Sequence, residues 1–274
     1  QVEINYVDWP EGFSTLEANP ALEGTDIVRY EVASGERSVL VDARQLIPEG
    51  ENQSLSIRDY EWSEDNEKLL IFTNTRKVWR YHTRGDYWVL DLATGELQQL
   101  GKTVPRTTMM FAKFSPDNGR VAYVSEHNLY VEDLATHKIT RLTSDGSTDM
   151  INGTFDWAYE EEFFCRDGFR WSPDGSQIAY WQIDASQIKD FLMINNTDSI
   201  YSFTIPVEYP KVGESPSACR LGVVDLKSTK TTWMKVPGDN RQHYIPRMEW
   251  ADNDQLFLQQ LNRKQNESKL MLAS

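Results

Sequence analysis

Apolar residues along the chain cluster in short strand-length runs, and each run follows an aromatic residue and a polar turn. Trp62-Ser63-Glu64-Asp65-Asn66 leads into Leu69-Leu70-Ile71-Phe72, and Phe114-Ser115-Pro116-Asp117-Asn118-Gly119 into Val121-Ala122-Tyr123-Val124. Trp171-Ser172-Pro173-Asp174-Gly175 leads into Ile178-Ala179-Tyr180-Trp181, and a degenerate copy, Trp250-Ala251-Asp252-Asn253-Asp254, into Leu256-Phe257-Leu258. Proline presets φ for a turn, Asp and Asn cap it with side-chain hydrogen bonds, and Gly takes the positive φ of a tight reversal, so each copy predicts a hairpin. A second pattern runs from a strand into a polar turn: Tyr87 to Gly95, Leu129 to His137, Leu221 to Thr229, with an earlier relative at Ile27 to Gly35. Together the two patterns make a repeating unit of about four short strands.

The aromatic anchors Trp62, Phe114, Trp171 and Trp250 are 52, 57 and 79 residues apart, above the roughly 40 to 50 of a propeller blade. The excess marks insertions, and Asp184 to Ser217 fits neither pattern. The expected fold is all-β: four-stranded antiparallel β-propeller blades, about four to five of them. An open array of that size leaves unpaired strand edges, and the chain stops at Leu270-Met271-Leu272-Ala273-Ser274, inside a strand pattern. The expectation is one partial propeller domain over residues 1–274, part of a larger protein, although 274 residues alone would allow two domains.

Composition supports this picture. Aromatic residues make up 12% of the chain, as suits packed sheet faces. The formal charge of −14 repels phosphate backbones, so nucleic acid is not an expected partner. No apolar stretch reaches the roughly 20 residues of a membrane-spanning helix. Cys165 and Cys219 form no Cys-x-x-Cys pair, and His82, His127, His137 and His243 show no zinc-helix spacing, so neither a metal nor a cofactor is expected.

The chemistry-bearing segment is Asp156-Trp157-Ala158-Tyr159-Glu160-Glu161-Glu162-Phe163-Phe164, three consecutive carboxylates bracketed by aromatics. Four readings are open. It is an acidic, solvated turn; it accepts hydrogen bonds from a cation such as a peptide N-terminus with three N–H donors; with Asp149 and Asp156 it binds calcium, although no Asp-x-Asp-x-Asp-Gly loop exists; or it supplies one half of a glycosidase acid/base pair.

Asp156 to Glu162, eight residues before Trp171-Ser172-Pro173-Asp174-Gly175, closely resembles the double-glutamate motif in the propeller domain of the dipeptidyl peptidase IV family. Lys77 to His82, Phe114 to Val124, Asn128 to Val131, Ile205 to Gly213 and Leu258 to Arg263 look like that family in the same order, so the resemblance covers nearly the whole chain. It implies an eight-bladed propeller in which a short helical insertion places Glu161 and Glu162 on the free α-amino group of a peptide substrate, with Glu160 structural. Arg106, a little displaced from the family's position, is the implied substrate-orienting arginine. The stretch from about Asp190 to Gly213 resembles the two-stranded arm that the family uses to form homodimers, and Tyr201, Phe203, Ile205, Val207 and Tyr209 alternate with polar residues as a half-exposed strand would. The family's Ser-Asp-His triad lies on a C-terminal α/β-hydrolase domain. Gly213-Glu214-Ser215-Pro216-Ser217 lacks the closing glycine of a nucleophile elbow, so no catalytic residue is expected in these residues. The implied activity of the parent protein is serine-type release of Xaa-Pro or Xaa-Ala dipeptides; the Ser-Pro-Asp-Gly turns and short blade loops have a bacterial character, so the expected location is periplasmic or exported. The alternative is a non-catalytic propeller that mediates protein or glycan contacts.

Overall fold

The computed structural model describes residues 4–8, 12–78 and 80–274, so Trp79 of the Lys77 to His82 string lies outside the described residues. The chain gathers into two compact units, residues 1–114 and 115–274. In the first, β1 (Ile4–Asp8), β2 (Gly12–Ala18), β3 (Thr25–Tyr30) and β4 (Arg37–Val41) form an antiparallel sheet in sequence order. β5 (Asp59–Trp62), β6 (Lys68–Val78), β7 (Tyr81–Asp91) and β8 (Leu97–Gln99) repeat that order, and β9 (Met109–Phe114) meets β7 at Gly85. Inward residues of both sheets, among them Ile27, Val41, Leu69, Ile71 and Leu90, share one core. A glycine is required where β7 meets β9, because a Cβ on Gly85 would lie 2.5 Å from the Phe72 ring, itself stacked on Tyr87.

The second unit begins with the antiparallel strands β10 (Arg120–Ser125), β11 (Asn128–Asp133) and β12 (Ile139–Arg141). Next come β13 (Met150–Asn152), the helix α1 (Trp157–Phe163), β14 (Phe169–Trp171) and β15 (Gln177–Asp184). A separate hairpin of β16 (Asp190–Asn195) and β17 (Phe203–Glu208) precedes β18 (Ala218–Asp225) and β19 (Thr231–Trp233). β20 (His243–Asp252), β21 (Gln255–Asn262) and β22 (Ser268–Ala273) form the last sheet. The fold is thus mostly β-strand with one short α-helix among the described residues. None of their helices is long and apolar enough to cross a membrane.

The repeated sequence strings are repeated hydrogen-bond devices. In the aromatic-Ser turns the serine is buried (Ser63 2%, Ser115 1%, Ser172 0% exposed). Its hydroxyl donates to the turn aspartate and accepts a backbone N–H five residues on: Ser63 to Asp65 with Lys68, Ser115 to Asp117 with Arg120, Ser172 to Asp174 with Gln177. The positive-φ place is filled by Asn66, Asn118 and Gly175, so Trp62 starts a working turn without proline or glycine, asparagine being among the residues that tolerate this conformation. In the second pattern Asp91, Asp133 and Asp225 accept from the backbone N–H and hydroxyl of Thr94, Thr136 and Ser228. These bonds hold each carboxyl below its ordinary range.

Ser172→Ala strands the Gln177 N–H and removes a bond to a carboxylate. It should cost about 2 kcal/mol in urea denaturation, against less than about 0.5 kcal/mol for Ser199→Ala on the exposed arm tip.

Candidate functional site

Helix α1 interrupts one strand of its sheet. β13 and β14 both pair with β15, Asn152 opposite Gln182 and Phe169 opposite Tyr180, and Trp181 stands between the two pairings. Residues 153–168 therefore leave the sheet and return to it at the same place. The base of this excursion is closed by three backbone bonds: Gly153 N–H to Trp181 C=O (2.9 Å), Gly168 N–H to Gly153 C=O (3.0 Å) and Trp181 N–H to Gly168 C=O (3.0 Å). Only glycine fits there, since a Cβ on Gly168 would lie 2.7 Å from the Gly153 carbonyl carbon.

Asp156 is the N-cap. Its carboxylate accepts the Tyr159 N–H (3.1 Å) and the Ser217 hydroxyl (2.6 Å), and burial pushes its pKa up against both bonds. With both oxygens engaged inside the protein, Asp156 is not presented as a calcium ligand. Tyr159 is 1% exposed, packed against Phe155, Phe163 and Tyr244. Its hydroxyl accepts the Ile245 N–H (3.0 Å), while Trp181 Nε1 donates to the Ile245 carbonyl (2.7 Å). At the other end the chain turns through Phe164 in the left-handed region (φ 56°), and the Cys165 N–H returns to the Tyr159 carbonyl at 3.1 Å. Arg247 closes that end: Nη1 donates to the carbonyls of Phe163 (3.2 Å) and Pro246 (2.6 Å) and lies 3.4 Å from Cys165 Sγ.

The three glutamates ride on this pinned turn. Glu160 lies 3.9 Å from Arg166, Glu161 is half-buried and Glu162 exposed. Glu160 thus lies beside an intramolecular cation, and Glu162 is the most exposed of the three. The near side of α1 also touches the arm. The Trp157 and Tyr209 ring centroids are 4.4 Å apart, and Tyr209 in turn meets Phe191 of β16 at 6.2 Å. Next to Tyr209, burial and a hydrogen bond to Asp149 raise the Glu208 carboxyl to about 7, with the charges of Asp156 and Asp190 adding to the effect. The hairpin itself is largely exposed, including Leu192, Ile194, Phe203 and Ile205.

Arg106 belongs to the first unit. Its Nε donates to Asp86 Oδ2 at 2.7 Å; Asp86 is only 4% exposed, whereas the arginine side chain is 67% exposed. Asp86 also accepts the Thr107 N–H and an Asn74 amide N–H. Arg106 is therefore anchored at one nitrogen with the rest of its guanidinium presented outward.

Residues 63–274 match the family described as the dipeptidyl peptidase IV (DPP IV) N-terminal region, and the chain belongs to that family. It is 30% identical over 233 residues to dipeptidyl aminopeptidase B of Saccharomyces cerevisiae, an alignment covering 82% of this chain and 28% of the yeast protein. It is 29% identical over 217 residues to the inactive dipeptidyl peptidase 10 of Mus musculus, covering 77% and 27% of the two chains. Among solved structures, Porphyromonas gingivalis dipeptidyl peptidase 4 superposes on 99% of this chain and 37% of its own, with a TM-score of 0.85 and 29% identity. The chain thus spans between 27% and 37% of the length of these relatives.

Sequence reading found the carboxylates but missed what fixes them. Ser217, Ile245 and Arg247 lie 61, 86 and 84 residues from their partners Asp156, Tyr159 and Phe163, beyond any local spacing rule.

Tyr159→Phe leaves the buried Ile245 N–H without an acceptor and should lower unfolding stability by about 1–3 kcal/mol in chemical denaturation. Glu208 has a folded pKa above its ordinary value, so it binds more protons folded than unfolded between about 4.5 and 7. Its contribution to stability is present in full below that window and lost as pH rises through it. The melting temperature of the wild type relative to Glu208→Gln should therefore fall from pH 5 to pH 8.

Proposed function

We propose that the chain is the substrate-gating part of the N-terminal propeller of a dipeptidyl peptidase IV-like serine exopeptidase. The parent protein releases Xaa-Pro or Xaa-Ala dipeptides from peptide N-termini, and Glu161 and Glu162 hold the substrate's α-amino group. The observation that carries this reading is a short helix, held at its N-terminus by the buried Asp156 and Ser217 and at its C-terminus by Arg247, that bears two further consecutive carboxylates after Glu160. An ammonium group offers three N–H donors in a small volume, and carboxylates accept without donating, so the pair matches a free N-terminus and disfavours an acylated one. A clamp fixed relative to a nucleophile selects one peptide bond by distance, because a longer N-terminal extension has no room beyond the carboxylates. Arg106, held at Nε with its other nitrogens outward, is suited to a substrate carbonyl.

The sheets of four sequential antiparallel strands support propeller blades, four to five of an eight-bladed ring. In the last sheet Phe257, Leu270 and Leu272 are exposed together, Phe257 paired with Leu272, an apolar face of the kind a further blade covers. The Ser-Asp-His triad belongs, in this reading, to a C-terminal α/β-hydrolase domain. The arm of β16 and β17 joins two copies of the protein, which acts in the periplasm or outside the cell. A second reading, a propeller that binds without catalysis, draws on the likeness to the mouse protein whose name marks it inactive.

In the full-length protein, Glu161→Gln and Glu162→Gln should each lower kcat/KM on Gly-Pro p-nitroanilide by about 30- to 1,000-fold, the equivalent of about 2–4 kcal/mol for a desolvated charge pair. The N-acetylated amide should not be cleaved. Unchanged activity in both variants excludes the clamp, and a wild-type protein inert toward both amides favours the non-catalytic reading.

A further inference from the structure

The hairpin of β6 and β7 carries a local charge opposite to that of the whole chain. No Asp or Glu lies between Lys68 and Gly85, while Arg76, Lys77, Arg80 and Arg84 all do, in a protein with a formal charge of −14. The strand register brings cations together: Arg76 is directly opposite Arg84, and Lys77 is opposite His82. Residues opposite one another share a face of the ladder, with Cα atoms about 4.5–5.5 Å apart, and like charges there destabilise a sheet. A register irregularity stands on each side of the Arg76–Arg84 pair, a feature that re-aims side chains locally. In the first of them Asn74 takes a positive φ of 45°, and its amide donates to Asp86 (2.8 Å) and to the Thr107 hydroxyl (2.9 Å). Arg76 is exposed and Arg84 half-buried.

No carboxylate among the described residues neutralises the pair. Asp86, at the base of the hairpin, is buried and already accepts from Arg106 Nε, the Thr107 N–H and Asn74. Among the described residues neither Arg76 nor Arg84 forms an ion pair, whereas Arg37, Arg120, Arg170 and Arg241 each lie within 3.2 Å of a carboxylate oxygen. Two guanidiniums side by side, each a planar fork of donors, match a pair of carboxylates. The net negative charge selects the form of the ligand. A long polyanion would run on over the acidic remainder of the protein and be repelled, whereas a short peptide stays within the roughly 8 Å that physiological salt leaves to the hairpin's own charge. We propose that the Arg76–Arg84 pair is a docking site for an acidic peptide segment, each guanidinium holding one carboxylate. The inference uses no residue of α1 and does not rest on the amine-clamp reading.

Calorimetric titration of the full-length protein tests it, with acetyl-tetraglutamate amide, acetyl-tetraglutamine amide and a sulfated heparin tetrasaccharide as probes. The acetyl cap removes the amine, so the result is independent of Glu161 and Glu162. The tetraglutamate should bind and the tetraglutamine should not, and added salt should weaken the binding. Arg76→Gln and Arg84→Gln should each weaken it by about tenfold or more, and Arg84→Lys, which keeps the charge and loses the fork, should retain part of the affinity. Because each glutamine relieves a like-charge pair, neither variant should melt below the wild type. Absence of tetraglutamate binding, or binding that both glutamine variants leave unchanged, overturns the inference. A clear fall in melting temperature in both variants gives the arginines a structural role and overturns it as well. Tighter binding of the tetrasaccharide, lost in the same variants, assigns the pair to a sulfated glycan and overturns the assignment to a peptide.

Discussion

A helix of seven residues does not sustain itself in water, because nucleation fixes several residues for each hydrogen bond gained. Everything proposed for α1 depends on the contacts that compensate for this. Asp156 caps one end from a buried position shared with Ser217, Tyr159 fills the core beneath, and Arg247 holds the final carbonyl. The charge distribution makes these contacts more necessary. Glu160 lies in the first turn, where the helix dipole favours an anion, but Glu161 and Glu162 lie toward the opposite end, where it does not. Arg247, donating to the Phe163 carbonyl, brings a positive charge to that end. An arrangement that departs from local preference and is offset by distant groups is what a functional site in a folded chain leads one to expect.

The position of the excursion follows from the sheet. β15 keeps its full register with β18 from Gln177 to Asp184 and supports β13 and β14 on its other edge. The helix thus leaves one edge of a sheet whose remaining ladder is unbroken, and only the Gly153–Gly168 crossing has to close. Such a base gives the carboxylates a fixed origin. The Trp157–Tyr209 contact joins this origin to the foot of the arm, where Glu208 and Asp149 share a hydrogen bond. Movement at the foot of the arm would therefore reach the first residue of the helix through one pair of rings.

The local part of the fold was legible because it repeats. The buried serine, the aspartate it bonds and the positive-φ residue recur at fixed offsets around Ser63, Ser115 and Ser172, so the turn chemistry can be read along the chain. The hairpin of β16 and β17 was visible as an excess of residues and an alternating apolar pattern. The carboxylates were visible as a composition anomaly and as a resemblance. The pinning of α1 was not, since Ser217, Ile245 and Arg247 meet it only after the sheets have formed. Phe164 gave no signal either: its neighbour Phe163 is buried and it is exposed, a difference set by backbone conformation rather than by residue type.

A family that includes an inactive relative separates recognition from chemistry. Nothing that fixes α1 belongs to a bond-breaking step: cap, buried tyrosine and arginine serve orientation alone. On the proposed reading, carboxylates placed in this way hold an amine whether or not a nucleophile stands at the right distance. The binding geometry can therefore persist where catalysis is lost, and resemblance in this part of the chain speaks for what is held rather than for what is cut. The residues that decide whether a held peptide is cleaved are of a different kind, a nucleophile and its base, and the constraints described for α1 do not depend on them.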